Sequence, residues 1–101
     1  MFKWLKKASE KAQRNNVRRT LSRLVDTAQR CDLILMAGGT LPPHEKARVV
    51  SLQQQLLGDL TGLVPLHQLR KEFLEPLEQD PEVSEGVRMA VRHVFDSAER
   101  R

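Results

Sequence analysis

The hydrophobic and polar positions of residues 1–14 recur at the spacing of an α-helix. At about 100° per residue, the apolar side chains gather on one face and the basic side chains on the other. The apolar face holds Phe2, Leu5, Ala8 and Ala12, with Trp4 on its flank. The basic face holds Lys3, Lys6, Lys7, Lys11 and Arg14. The pattern predicts a basic amphipathic helix.

The apolar phase changes at Asn15 and Asn16, two residues that favour caps over helix interiors. A second helix is predicted from about Val17 to Met36, where Gly38 provides a C-cap. Its apolar stripe holds Val17, Leu21, Leu24, Val25, Ala28, Cys31 and Leu35. Because the two helices would bury different faces, we predict an N-terminal arm at residues 1–14 and a helical domain at residues 15–101.

Two further helices follow a proline-rich connector. One is predicted from about Pro43 to Leu63, because apolar side chains recur along it at helical spacing. They are Val49, Val50, Leu52, Leu56, Leu57, Leu60, Leu63 and Val64. Pro65 begins a shorter helix, which we expect Pro76 to kink or end. That helix would bury Leu66, Leu69, Phe73 and Leu77.

The last helix is predicted to reach about Glu99, with Asp80 as its N-cap and Pro81 in its first turn. Its inward positions are Val83, Val87, Ala90, Val91, Val94 and Ala98, with Phe95 at the edge. No segment alternates with the period of a strand. We therefore predict an all-α fold, a small helical bundle of four to five helices with an N-terminal basic amphipathic helix.

Length and cysteine content narrow the class of protein. A chain of 101 residues is one domain, able to fold without disulfides or metals. The single cysteine, Cys31, lies in an apolar stripe and is predicted to be a buried core residue, which suits a reduced intracellular compartment such as the cytoplasm. No apolar run reaches the length of a transmembrane helix or the core of a signal peptide.

Charge is distributed unevenly along the chain. Residues 1–30 hold nine Lys or Arg and two Asp or Glu, an excess of +7, whereas residues 71–101 hold five basic and eight acidic residues, an excess of −3. This polarity fits internal neutralisation, head-to-tail self-association or simply solvated faces. The sequence leaves the three open.

The sequence offers little catalytic or metal-binding chemistry. None of the three histidines has a second His or Cys at metal-ligand spacing. His93 and Asp96 are three residues apart, but no nucleophile accompanies them, so a surface pair is favoured. We expect no cofactor, no metal and no enzymatic activity.

The sequence favours a small non-enzymatic interaction module, an adaptor, regulator or inhibitor, with a protein as its partner. The predicted partner-binding residues are Phe2, Lys3, Trp4, Leu5, Lys6, Lys7, Lys11, Arg14, Arg18, Arg19 and Arg23. One alternative is a nucleic-acid-binding protein that contacts phosphates with the basic residues of segment 3–30. Another is a peripheral membrane protein anchored on an anionic surface by its first helix. Homo-oligomerisation also stays open.

Overall fold

A computed structural model of the chain describes residues 2–101, with side chains from Lys3 onward. Over this range the protein is all-helical, with four helices and no strand. They are α1 (Phe2–Met36), α2 (Pro43–Asp59), α3 (residues 66–79) and α4 (Glu85–Glu99). The predicted all-α class is confirmed. None of the helices described combines the length and the apolar character needed to cross a membrane.

The predicted break at Asn15 and Asn16 is wrong, because α1 runs through both residues without interruption. Asn costs a helix interior only about 0.7 kcal/mol relative to Ala, and no Pro or Gly lies within this helix. The Arg18 guanidinium donates a hydrogen bond to Asn15 Oδ1 at 2.9 Å. Side chains on both sides, Gln13 and Val17, are buried against other elements. Tertiary contacts therefore outweigh the weak local preference for a cap.

Helix α1 ends where the sequence predicts. Gly38 has a φ of 81°, the left-handed conformation that suits glycine. The Gly39 amide donates to Ile34 O at 2.9 Å, which satisfies one of the last carbonyl groups of the helix. Helix α2 then begins at Pro43 and ends at Asp59, four residues before the predicted end at Leu63.

Helix α3 passes through Pro76 instead of ending there. Leu66–Leu69 and Glu75–Gln79 are α-helical, and Arg70–Leu74 between them forms a π-helical turn. The Glu75 amide donates to Arg70 O, five residues earlier. A proline lacks its own N–H and crowds the carbonyl four residues before it, so a wider turn just ahead of Pro76 is the adjustment expected of a helix that continues.

Helix α4 begins five residues later than Asp80, the predicted N-cap. The cap is Ser84, whose hydroxyl oxygen accepts a hydrogen bond from the Val87 amide at 3.3 Å. The same hydroxyl donates to Asp32 on α1. Asp80 instead stabilises the preceding turn, where its Oδ1 accepts from the Glu82 amide at 2.9 Å. Because the Ser84 hydroxyl bonds both the Val87 amide and Asp32, it caps α4 and joins this helix to α1.

All four helices contribute to one principal core, with fully buried side chains from each. They include Val17, Leu24, Leu56, Leu69, Val91 and Phe95. Phe95, predicted at the edge, has no exposed surface. Three side chains that the pattern placed inside, Leu35, Val50 and Leu63, are about half exposed, at 52–54%. Leu63 lies beyond the end of α2, where helical phase no longer applies, and Leu35 lines an open groove that no helix covers.

Candidate functional site

The first turns of α1 extend away from the core. We call residues 3–12 the N-terminal segment; each of its side chains is exposed except Glu10, which is half-buried. Trp4 is 63% exposed and Leu5 44%. A helix of 35 residues is about 52 Å long, close to the 57 Å of the longest dimension of the molecule. The segment therefore forms one end of an elongated protein.

Gln13 anchors the base of the N-terminal segment. Its side chain is 9% exposed, its Nε2 donates to Asp59 O at 3.2 Å, and its Oε1 accepts from the Val64 amide at 2.9 Å. Gly62 lies so close that a Cβ there would stand 2.7 Å from Gln13 Oε1. Sequence reasoning missed this residue, because a glutamine between Lys11 and Arg14, next to the lysine-rich first turns, looks like surface. The close glycine in the α2–α3 connection was the only available signal.

The exposed apolar side chains of the N-terminal segment point away from the core. The buried line of α1 is centred on Val17 and Leu24, with Leu21 and Ala28 on one side and Gln13, Thr20, Thr27 and Cys31 on the other. Because α1 is continuous, Trp4 and Ala8 lie roughly 160° around its axis from the centre of that line, and Leu5 lies roughly 100° from it. A continuous helix cannot turn Trp4 and Ala8 toward the core that Val17 and Leu24 contact. The apolar residues before and after Asn15 and Asn16 therefore face different directions, as the sequence indicates, although they belong to a single helix.

Seven of the predicted partner-binding cations are exposed on α1. They are Lys3, Lys6, Lys7, Lys11, Arg18, Arg19 and Arg23. Within the described residues, none of them has a carboxylate oxygen within 4 Å. Arg18 is the most constrained of the set, since its guanidinium lies 5.7 Å from the centre of the Phe73 ring. The side chain of Phe2, also predicted to bind a partner, lies outside the described residues.

Arg14, the remaining predicted cation, is engaged within the protein. Its Nε lies 2.9 Å from Glu72 Oε2 on α3, and this hydrogen bond raises the pKa of the guanidinium. Among the residues described, it is the only ion pair joining the basic segment 1–30 to the acidic segment 71–101. Other acidic residues of the latter pair with arginines of α3 and α4, in the pairs Arg70–Asp96, Arg70–Glu99, Arg88–Glu85, Arg92–Glu78 and Arg92–Glu85. The lysines of the N-terminal segment are therefore not neutralised internally.

The other candidate groups do not assemble into a reactive site. Asp96 binds Arg70 at 3.1 Å, and no hydrogen bond or ion pair joins it to His93. Cys31 is 6% exposed, as predicted, and burial raises the pKa of its thiol, with the nearby carboxylate of Glu45 adding to the shift. A buried thiol with a raised pKa is a poor nucleophile. Across the described part of the chain, no three His, Cys, Asp or Glu side chains cluster as a metal site would require.

Two of the grooves beside α1 lie next to candidate residues. The larger, about 470 Å³, is open and lies beside Gln13, between the base of the N-terminal segment and the α2–α3 connection. The smaller, about 230 Å³, is mainly apolar and lies between α1, α2 and α4, with Cys31, Leu35 and Val49 among its lining residues. No histidine lines either groove, and the one thiol, in the smaller groove, has a raised pKa. The exposed N-terminal segment is the stronger candidate for a functional site.

Comparison of this chain with protein-family models, with curated proteins and with solved structures finds no match. The inference of function therefore rests on the residues described above. The feature that distinguishes this molecule is an exposed helix end that combines unneutralised lysines with an apolar tip.

Proposed function

We propose that the chain is a small non-enzymatic interaction module, an adaptor, regulator or inhibitor. Its N-terminal segment is a basic amphipathic helix that attaches the module to its target. The remaining helices form a helical bundle that supports the segment and offers charged faces to a protein partner.

One observation carries this proposal: Trp4 and Leu5 are exposed at a helix end that extends past the core. Single exposed apolar residues are ordinary on protein surfaces. Here, however, the two lie at the tip of a helix that extends past the core, among four lysines that have no carboxylate partner within the part of the chain that the structure describes. Exposure of a large aromatic side chain is unfavourable unless a partner covers it. The arrangement supports a binding role.

The target of such a segment has to be both apolar and negatively charged. An acidic groove on a protein, a nucleic acid beside an apolar pocket and an anionic lipid surface each meet that requirement. Of these three targets, the sequence analysis favours a protein. The exposed charged faces of α2 to α4 also favour a protein as a second contact of the module.

The test is purification of the full chain from its native host with variants in the N-terminal segment. Trp4→Ala removes the apolar tip, and the double variant Lys6→Glu, Lys7→Glu reverses the local charge. Each is expected to lose the material that co-purifies with the unaltered chain, as measured by protein content, nucleic-acid absorbance and extracted lipid.

The matched control is Lys46→Glu, Arg48→Glu on α2, which changes the net charge by the same amount at two exposed cations that also lack a carboxylate partner. This control is expected to retain the bound material. Equal retention by all variants would contradict the proposal, because the binding surface would then lie on α2 to α4.

A further inference from the structure

We infer that the target of the N-terminal segment is the surface of an anionic phospholipid bilayer, an inference that rests on the proposed function of that segment. The bundle would remain outside the bilayer, held beside it by α1. Three features of α1 favour a lipid surface: the shallow apolar tip formed by Trp4 and Leu5, the lysines around it and the uncovered outer face of the helix.

The apolar face of the segment offers few large anchors to a protein groove. Helix-in-groove recognition uses large anchors spaced three, four and seven residues apart. After Trp4 and Leu5, the same face offers only Ala8 and Ala12. A bilayer makes no such demand, because an interfacial helix enters only about 5–10 Å into the boundary between headgroups and acyl chains. Two large side chains at one end of the helix suit that shallow entry.

The cations around the tip also suit lipid headgroups. All four cations of the segment are lysines, Lys3, Lys6, Lys7 and Lys11. Lysine presents a compact charge on a flexible stem, whereas arginine presents the rigid fork used for fixed bidentate contacts. Long lysine stems can lie along an apolar boundary while their ammonium groups reach the phosphates. Attraction to a surface of mobile phosphates needs no fixed geometry.

The outer face of α1 is free along most of its length. Positions 4, 8, 11, 15, 19, 22 and 26 share this face, opposite the buried line, and every one of them is exposed. The contacts of α1 with other helices come from other positions, including Gln13 with α2, Arg14 with α3 and Asp32 with the residue that caps α4. A flat surface can therefore reach Trp4 and Arg19 together without meeting α2, α3 or α4.

A nucleic acid fits the same segment less well. Lysines can contact phosphates, but Leu5, Ala8 and Ala12 would then lie without an apolar counterpart. Base reading in a duplex uses Arg or Lys at guanine and Asn or Gln at adenine, and of these residue types the N-terminal segment has only lysines. Trp4 alone could stack on an unpaired base. Only the lipid surface accounts for both faces of the segment.

The experiment measures co-sedimentation of the full chain with vesicles of phosphatidylcholine alone and of an equimolar mixture of phosphatidylcholine and phosphatidylglycerol. Binding is expected only to the anionic vesicles. Trp4 is the only tryptophan, so its fluorescence reports directly on the tip and is expected to shift to the blue on binding.

Four variants locate the binding surface. Trp4→Ala is expected to weaken binding about tenfold or more, and Trp4→Phe less, because an aromatic ring remains to enter the interface. Lys7→Glu, Lys11→Glu is expected to weaken it at least about tenfold, since each lysine near an anionic surface contributes separately and these two lie closer to the outer face of α1 than Lys6 does. The matched charge change Lys46→Glu, Arg48→Glu on α2 is expected to have less than about a threefold effect, because it lies off the outer face of α1. Each variant is first checked for helical content.

The outcomes separate the two proposals. Absence of binding to anionic vesicles, or equal binding to both vesicle types, overturns the lipid inference. If the segment variants still lose a protein or nucleic acid that co-purifies with the unaltered chain, the proposed function stands and its target belongs to that other class. Vesicle binding that is weakened equally by the charge variants on α1 and α2 also overturns the lipid inference, because net charge alone would then explain it, whereas the proposed function is overturned only by equal retention of co-purifying material by all variants.

Discussion

The anchor at Gln13 gives the sharpest test of how the N-terminal segment joins the core. Replacing Gln13 with Ala removes two hydrogen bonds, to Asp59 O and from the Val64 amide. Val64 is 2% exposed, and a buried donor left without an acceptor costs about 1–3 kcal/mol. The Asp59 contact adds about 0.5–1.5 kcal/mol.

Water reduces this cost, because Gln13 also lines the open groove beside the α2–α3 connection. A water molecule that enters from the groove can replace part of the lost bonding. We therefore expect Gln13→Ala to lower the free energy of unfolding by about 2 kcal/mol, near the lower end of the combined range. The measurement is urea unfolding followed by circular dichroism, with Gln54→Ala on the exposed face of α2 as the matched control.

The contact of Gln13 with the α2–α3 connection can also be tested by a substitution at Gly62. Its φ is not positive, so alanine meets no backbone strain there, yet its Cβ would lie 2.7 Å from the Gln13 amide. The amide can move aside only by losing a hydrogen bond. Gly62→Ala is expected to cost about 1–2 kcal/mol in the unaltered chain and much less in the Gln13→Ala background. Additive effects, or a Gln13→Ala variant as stable as Gln54→Ala, would refute the assigned contact.

The anchor also moves the expected boundary of the arm. A deletion through residue 14 removes Gln13 and Arg14, both of which bind other helices, whereas a deletion of residues 2–11 removes neither. We expect the shorter deletion to cost less than about 1 kcal/mol and the longer one to add the loss of the anchor, about 2 kcal/mol. Equal costs would show that the segment contributes to the core before Gln13.

Three further predictions concern the core, the start of α4 and the thiol. Leu56→Ala is expected to cost about 2–5 kcal/mol in urea unfolding, because Leu56 is fully buried, against less than about 0.5 kcal/mol for Gln54→Ala. Ser84→Ala is expected to lower helix stability by about 1–2 kcal/mol and Asp80→Ala by less, since Ser84 caps α4; a larger loss at Asp80 would contradict that assignment. Cys31 is expected to react slowly with a thiol reagent in the folded protein and quickly once unfolded. Because burial raises the pKa of Cys31, the unfolded chain loses this proton at a lower pH, so the free energy of unfolding should fall as pH rises between the two pKa values, and Cys31→Ala should remove that slope.

Much of the helical layout follows from local pattern. Apolar residues at helical spacing predicted helices over most residues of α1, α2 and α4, although they predicted two helices where α1 is one. Gly38 predicted the end of α1, because a glycine at positive φ lets the following amides bond to the last carbonyl groups of the helix. The exposed cations of the N-terminal segment were also identifiable, since charge and periodicity are properties of adjacent residues. Such features need no knowledge of distant partners.

The features that the sequence could not predict depend on residues far apart in the chain. Continuity of α1 through Asn15 and Asn16 depends on buried neighbours that contact α2, α3 and their connection. Ser84 replaces Asp80 as the cap because its hydroxyl also reaches Asp32, 52 positions away. Arg14 pairs with Glu72 on α3, 58 positions away in the chain.

The sequence could not predict these features because local preferences of the backbone are weaker in free energy than contacts between distant residues. Helix propensities and caps differ by about 1 kcal/mol or less among most residues, so one buried hydrogen bond or packed side chain from another helix can reverse them. Periodicity by itself determined that the chain is helical, and where its apolar and basic residues lie. Only the tertiary structure decided that the apolar tip belongs to a continuous helix that turns it away from the core, because that depends on which distant side chains hold the helix beyond Gln13.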